Sequence, residues 1–126
     1  MSDRIRHPGL RDRRMSAAQA AALIRPGMTV AMSGFTGAGY PKAVPQALAA
    51  QIEQAHDAGE AFRIKVLTGA STAPELDGVL ARAQGIELRL PYQSDPALRD
   101  RINAGELDYI DLHLSHVAQY TWFGFY

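Results

Sequence analysis

A glycine-rich stretch at residues 33–41, Ser-Gly-Phe-Thr-Gly-Ala-Gly-Tyr-Pro, constrains the fold of this chain more than any other feature. It follows a short apolar run at residues 28–32, which is typical of a buried strand. It precedes residues 44–58, where Val44, Leu48 and Ile52 recur one turn apart, as on the apolar face of a helix. The stretch therefore predicts a tight connection from a strand to a helix.

The same order of strand, loop and helix recurs along the chain. Residues 62–67 and 86–90 predict two further strands, and residues 107–114 contain a fourth candidate. Helices are predicted at residues 17–24, 75–83 and 96–104. This alternation predicts a single α/β domain over residues 1–126, with a mainly parallel sheet flanked by helices.

Local signals support the ends of these helices. Ser16 with Gln19 forms a capping box ahead of the first predicted helix. Gly59 is expected to end the helix that follows the glycine-rich stretch, because glycine tolerates a left-handed backbone. Asp95 is expected to cap the last predicted helix, with Pro96 at its first position.

Composition excludes several classes of protein. The 13 basic and 13 acidic residues cancel, which removes the electrostatic basis for nonspecific nucleic-acid binding. No apolar run approaches the roughly 20 residues that cross a bilayer, so we expect no membrane partner. The chain has no cysteine, which excludes a disulfide scaffold and a cysteine nucleophile and fits a cytoplasmic location.

Both ends of the chain have a biased composition. Residues 1–14 are rich in arginine and lack the apolar segment of a secretory signal. Asp3, Asp12 and the shortage of serine favour a solvated basic arm over a transit peptide, which is the alternative. Residues 120–126 are rich in aromatic side chains, and apolar surface of this kind usually has a partner. We therefore expect the chain to be part of a larger fold.

Ligands of an open parallel sheet bind beyond the carboxyl ends of its strands. The glycine loop, from Gly34 to Gly39, lies in that position, and its amides are candidates to face a carboxylate or a thioester oxygen. The alternative is a tight turn without a ligand. Its order, G-x-x-G-x-G, matches neither the dinucleotide fingerprint nor the P-loop.

Two further loops carry candidate polar groups. The second loop, residues 68–74, offers the hydroxyls of Thr68, Ser71 and Thr72 to a substrate carboxylate, although Ser71 or Thr72 can equally be a helix cap. The third loop, residues 91–96, combines Tyr92 with Ser94 and can equally be a plain entry to a helix.

Two other kinds of site are not expected. His113 and His116 follow Asp108 and Asp111, but nothing supplies further metal ligands at suitable spacing, so we predict no metal site. A triad of Ser71, His113 and Asp111 lacks the G-x-S-x-G turn that exposes a nucleophilic serine.

Five blocks in order resemble the acetyl-CoA hydrolase/transferase family, which includes succinyl-CoA:acetate CoA-transferases. Ser33, Gly34 and Phe35, followed by Gly39 and Pro41, resemble the N-terminal Gly-Gly-Phe signature of coenzyme A transferases, with serine in place of the first glycine. The other blocks are residues 68–72 with 75–78, residues 94–95, residues 101–106 and residues 113–117.

The resemblance implies an incomplete, CoA-transferase-like N-terminal domain. It implies transfer of coenzyme A between small carboxylic acids, of the succinyl-CoA and acetate type, or hydrolysis of acetyl-CoA. Coenzyme A thioester is then a substrate, no cofactor is expected, and the full-length enzyme is expected to be a homodimer. The alternative is a standalone small α/β module that binds an anion at the glycine loop.

The family uses a glutamate nucleophile that passes through an acyl-glutamyl anhydride and a glutamyl-CoA thioester. None of the glutamates in this chain matches that motif, so we expect no catalytic residue here and an inactive fragment. The resemblance carries over only substrate-binding roles, for the backbone at Gly37 and the hydroxyls of Ser71 and Ser94.

Overall fold

A four-stranded, all-parallel sheet forms the centre of the computed structural model, which describes residues 4–124. The strands lie in the order β1-β2-β3-β4, so neighbours in sequence are neighbours in space. Their bounds are β1 Thr29–Ala31, β2 Ile64–Leu67, β3 Ile86–Leu90 and β4 Asp108–Tyr109. The predicted α/β class and parallel sheet are confirmed.

Helices precede β1, connect the strands and follow β4. They are α1 Pro8–Arg11, α2 Ala17–Ala21, α3 Ala43–Asp57, α4 Val79–Arg82, α5 Pro96–Asn103 and α6 Val117–Phe123. A π-helical turn, Pro74–Gly78, leads into α4, and a 3-10 turn, Leu114–His116, leads into α6.

The connecting helices pack on one face of the sheet. Right-handed crossovers between adjacent parallel strands place successive helices on the same side. Ile64 and Val66 of β2 are fully buried in a core shared with Leu48 and Ile52 of α3. On the other face, Thr29 of β1 is exposed. The helices therefore cover one face of the sheet, and the loops that follow the parallel strands lie together at its carboxyl edge.

The predicted helix signals are confirmed where they can be compared. Ser16 Oγ accepts a hydrogen bond from the Gln19 amide at 3.1 Å, and the Gln19 side chain returns one to the Ser16 amide at 2.8 Å. Asp95 Oδ1 accepts from the Leu98 amide at 3.1 Å, with proline at the first helical position. Gly59 has φ of 78°, the left-handed conformation predicted for it.

Several predicted boundaries are wrong. Helix α2 ends at Ala21 rather than at residue 24, because a turn follows at residues 22–23. The fourth strand lies within residues 107–114, as predicted, and has two residues. Short helices were not predicted at Pro8–Arg11 in the basic arm or at Val117–Phe123 near the aromatic end.

The structure describes most of the arginine-rich start and most of the aromatic end of the chain. Residues 1–3 of the predicted basic arm, and Phe125 and Tyr126 of the aromatic end, lie outside the described residues. Within α6, Trp122 is 85% exposed and Phe123 is 77% exposed. Over residues 4–124, no helix is long and apolar enough to cross a membrane.

Candidate functional site

The glycine loop and the second and third loops meet at the carboxyl edge of the sheet. The Thr36 amide donates to the Ala70 carbonyl at 3.0 Å, and the Ser71 amide donates to the Tyr92 carbonyl at 2.6 Å. The first bond is made by the residue before Gly37. The second is made by Ser71 itself, to a residue two positions before Ser94. The structure thus gathers all three predicted binding loops at one place.

Two glycines allow the first of these loops to touch the second. A β-carbon on Gly69 would collide with the carbonyl oxygen of Gly34. Gly34 itself has φ of 144°, and a β-carbon there would lie 2.7 Å from Cβ of Tyr40. Gly69 is therefore explained by the close approach of the Gly34 backbone, and Gly34 by its positive φ and the adjacent Tyr40 side chain.

Three amides of the glycine loop donate hydrogen bonds to carbonyl groups of the protein. The Phe35 amide donates to the Ala38 carbonyl at 3.0 Å, and the Ala38 amide donates back to the Phe35 carbonyl at 3.2 Å. The Thr36 amide is bound to Ala70, as described above. Gly37 lies at the exposed tip, and nothing stands within 4 Å of a β-carbon built on it. Gly37 is therefore an accessible part of this loop.

Ser71 and Ser94 form a hydroxyl pair that joins the second and third loops. Their Oγ atoms lie 2.5 Å apart. Ser71 is buried and Ser94 is exposed. Ser71 Oγ also donates a hydrogen bond to the Thr72 carbonyl at 3.1 Å, so Ser94 is then the donor within the pair. Rotation of the two hydroxyls would let both donate to one carboxylate.

The backbone at Ser71 is held in an uncommon conformation. Its φ is 67°, in the left-handed region that a residue with a β-carbon seldom adopts. The short bond from its amide to Tyr92 holds it there, and such positions persist only where surrounding contacts fix them.

Glu75 links the glycine-rich stretch to the second loop. Its carboxylate accepts from Tyr40 Oη at 2.7 Å and from Lys42 Nζ at 2.9 Å. These hydrogen bonds, that from Tyr40 first and that from Lys42 next, lower the pKa of Glu75 from 4.5 to about 2. The same bond to Glu75 raises the pKa of Tyr40. A carboxylate so strongly stabilised is a weak base, so its geometry suits a structural tie.

A buried ion pair lies behind the second and third loops, and the sequence pattern did not indicate it. Arg89 and Asp77 are both fully buried, with Arg89 Nε 2.8 Å from Asp77 Oδ1. Strict alternation along β3 would place Arg89 on the same face as Glu87. A register shift between β2 and β3 pairs Ile64 with Ile86 but Val66 with Arg89, so Arg89 faces the helices instead. The one available signal was an aspartate within the helical segment after the second loop.

Two buried polar atoms near the serine pair have no hydrogen-bond partner among the described residues. They are Thr72 Oγ1 and Gln93 Oε1, each in the residue adjacent to one of the two serines. The alternative that Ser71 or Thr72 caps a helix is wrong, because the N-cap position is Ala73 and no side chain caps it.

The histidines near the end of the chain serve local structure. His113 Nδ1 lies 2.7 Å from Ser115 Oγ, and Asp111 Oδ1 accepts the Tyr92 amide at 3.1 Å. The triad of Ser71, His113 and Asp111 is not assembled by these contacts. No group of three potential metal ligands occurs within residues 4–124.

A mostly apolar cavity of about 410 Å³ opens beside the second and third loops. Its walls include the apolar or aromatic side chains of Leu67, Leu90, Tyr92, Leu114 and Val117. A cavity of similar size, about 450 Å³, lies away from these loops and is lined by charged groups such as Arg63 and Arg101. The apolar cavity is the candidate for substrate binding, because it lies next to the loops that carry the serine pair.

In a comparison with known protein families, residues 6–126 match the acetyl-CoA hydrolase/transferase N-terminal domain. Propanoyl-CoA:succinate CoA transferase of Escherichia coli (strain K12) is 45% identical over 113 residues, 90% of this chain and 23% of that protein. Succinyl-CoA:acetate CoA-transferase of Clostridium kluyveri is 45% identical over 117 residues, 93% of this chain and 21% of that protein.

Hydrolases are also similar to this chain. Acetyl-CoA hydrolase of Yarrowia lipolytica is 36% identical over 129 residues, which cover 100% of this chain and 25% of that protein. The chain spans between 21% and 25% of the length of these three relatives.

Proposed function

The chain belongs to the acetyl-CoA hydrolase/transferase family, and from that premise we propose that it forms one wall of a small-carboxylate site. The complete enzyme would transfer coenzyme A between small carboxylic acids or hydrolyse acetyl-CoA. The observation that carries this proposal is the pair of hydroxyls of Ser71 and Ser94, 2.5 Å apart where the second and third loops meet.

Two adjacent hydroxyls suit a carboxylate for a simple reason. Each has one proton to donate, and hydrogen bonds to an ionised acceptor are shorter and stronger than those between neutral groups. A carboxylate therefore competes well with the bond that the serines make to each other. The open tip at Gly37 completes the proposed set of substrate contacts.

The class of acid follows from size and from the relatives. The names of the relatives mention acetate, succinate, propanoyl-CoA and succinyl-CoA, all small acids or their thioesters. The apolar cavity beside the loops has room for a short hydrocarbon chain, and none of the described residues that line it is a lysine or an arginine. On this basis we propose small carboxylic acids of this kind as the acids held by this wall.

The nucleophile is proposed to lie outside these 126 residues. In the family chemistry a glutamate attacks the thioester carbon, forms an acyl-glutamyl anhydride and releases the thiolate of coenzyme A. That thiolate then attacks the glutamyl carbonyl, which frees the carboxylic acid and leaves a glutamyl-CoA thioester. The role of this chain is to hold the acid that leaves or enters. A cytoplasmic homodimer is the expected setting of the whole enzyme.

The standalone anion-binding module is the weaker candidate. Its proposed site is the glycine loop, where the amides of Phe35, Thr36 and Ala38 already bind protein carbonyls. Saturable binding of acetate or phosphate to the isolated chain at Gly37, without any effect at Ser71, would favour it.

The test uses the full gene product that contains this chain. We expect it to form acetyl-CoA from succinyl-CoA and acetate, or to release coenzyme A from acetyl-CoA, and we expect the 126-residue chain alone to do neither. Turnover by the isolated chain would contradict the division of roles proposed here. A folded full-length protein without either activity would contradict the proposed function itself.

A further inference from the structure

The buried ion pair of Arg89 and Asp77 contacts the second and third loops of the candidate site. Arg89 Nε and Nη2 donate to the two oxygens of Asp77, at 2.8 and 3.0 Å, in a two-pronged contact. Neither side chain has any exposed surface. The pair thus lies entirely inside the protein, with no direct access for a ligand.

This pair contacts both ends of the backbone segment that carries Ser71. At the start of the second loop, Arg89 Nη2 donates to Thr68 Oγ1 at 2.7 Å. After Ser71, the Thr72 amide donates to Asp77 Oδ2 at 3.1 Å. Ser71 therefore lies between two anchor points that belong to one ion pair.

The third loop is attached to the same guanidinium. Arg89 Nη1 donates to the carbonyl of Leu90, at 2.6 Å, immediately before that loop begins. The second loop is bound to the third by the bond from the Ser71 amide to Tyr92. The Arg89 side chain thus bonds to the backbone before the third loop and to the start of the second loop, which carry Ser94 and Ser71.

Stability alone is a poor reason for such a pair. Removing two charges from water costs several kcal/mol per ion, and replacement of a buried pair by apolar residues of similar volume is often neutral or stabilising. A benefit in geometry is the better explanation, because Arg89 Nη2 also bonds to Thr68 at the start of the second loop and Nη1 bonds to the Leu90 carbonyl just before the third loop.

We propose that Arg89 and Asp77 are positioning residues that hold the hydroxyls of Ser71 and Ser94 at the spacing a carboxylate requires. The ion pair fixes the positions of the second and third loops whatever the ligand. Its effect on binding of a carboxylate rests on the proposed function. Because both residues are enclosed, they act through the serines and do not touch the acid.

The first experiment replaces both partners in the full gene product, as Asp77→Leu with Arg89→Met. This double variant keeps the volume apolar and leaves no unpaired buried charge, so we expect it to fold. Hydrogen exchange over the peptide that contains Ser71 should then be about tenfold faster or more, since protection follows local opening. Exchange over β2 should be unchanged.

The second readout is kinetic. Loss of well-placed hydrogen bonds to a charged acid should raise KM for the carboxylate about tenfold or more, with KM for the acyl-CoA unchanged. Arg89→Lys keeps the charge but has one ammonium for three directions, so it should be intermediate. Ile52→Val is the matched control, since it trims a buried core residue packed against Gly85, at the other end of β3.

The outcomes separate the two proposals. A full gene product without carboxylate activity contradicts the proposed function, while the exchange at Ser71 still tests the positioning role. A folded double variant with native exchange at Ser71 and native KM overturns the positioning role. If the double variant does not fold, Thr68→Val decides, because it leaves the ion pair and removes the hydrogen bond from Arg89 Nη2 to the start of the second loop, together with the bond from Thr68 Oγ1 to the Gly69 carbonyl. Unchanged exchange at Ser71 in that variant overturns the proposal as well.

Discussion

The hydroxyl oxygens of Ser71 and Ser94 lie 2.5 Å apart although 23 positions separate the two residues in sequence. Parallel strands place the loops that follow them at the same edge, which is why distant residues meet here. The pair joins a buried hydroxyl to an exposed one, so a ligand can reach it from solvent through Ser94.

Removal of either hydroxyl should weaken the hold on the acid. We expect Ser71→Ala and Ser94→Ala each to raise KM for acetate about tenfold in the full gene product, as loss of a hydrogen bond to a charged group does. The double variant should show less than the product of the single effects, since the two hydroxyls act together. Steady-state kinetics with acetate varied will measure this.

Two variants serve as controls for the serine pair. Ser94→Thr retains the hydroxyl and should stay close to the parent protein. Ser115→Ala removes an exposed hydroxyl that bonds only locally to His113, and it should leave KM unchanged. Native KM for acetate in Ser71→Ala would contradict the role of the pair.

The contact between Gly34 and Gly69 should make Gly69→Ala destabilising. A β-carbon at Gly69 meets a backbone carbonyl that cannot rotate away, so the loops must separate. We expect a loss of about 1–3 kcal/mol in the free energy of unfolding, as for other overpacked positions. Denaturant titration will give the value.

Gly37→Ala is the matched control for this measurement. Nothing stands within 4 Å of a β-carbon at Gly37, so the substitution meets no obstacle. The free energy of unfolding should change little, or rise slightly through the lower entropy of the unfolded chain. Equal destabilisation by the two substitutions would contradict the importance of the loop contact.

Glu75 should make stability depend on pH in the acid range. Its pKa is lowered from 4.5 to about 2 in the folded protein, so its contribution is complete above about 4.5 and is lost as pH falls through about 2. The difference in stability between the parent protein and Glu75→Gln should therefore shrink as pH falls across that window. Salt should reduce it, since the side chain is partly exposed.

The two partners of Glu75 should contribute unequally to its pKa. Tyr40→Phe removes the hydrogen bond that lowers the pKa most, so this variant should raise the pKa of Glu75 more than Lys42→Met does. Carboxyl chemical shifts followed by NMR during a pH titration will measure both. A larger rise in the lysine variant would contradict this order.

Single replacements in the buried ion pair should be far more damaging than the double replacement. Asp77→Leu or Arg89→Met alone leaves one buried charge without its partner, which costs about 3–5 kcal/mol. Together they remove both charges, so the combined loss should be much smaller than the sum. Thermal unfolding of the parent, both single variants and the double variant forms a complete cycle.

Much of the fold was accessible from local patterns, because each signal involves residues close in sequence. The capping bonds of Ser16 and Asp95 are examples, as each needs only the next turn of chain. Arg89 shows the limit. The register shift between β2 and β3 breaks the alternation that would place it outward, and pairing between strands is not visible in one strand's sequence.

The candidate site was predictable to a similar degree. The carboxyl edge followed from strand order, and Ser71 and Ser94 followed from the family resemblance. Their direct contact did not, because it depends on how the second and third loops are joined by the Ser71 amide. The tie from Glu75 to Tyr40 was missed as well, since the two residues are 35 positions apart.

The interlocked backbones of Gly34 and Gly69 have a consequence for building chimeric enzymes. A designer who wishes to change acid preference would naturally transplant the second loop alone. Any donor loop with a larger residue at position 69 would fail against the recipient's own loop, whatever its chemistry. Residues 33–41 and 68–74 should be exchanged as one cassette.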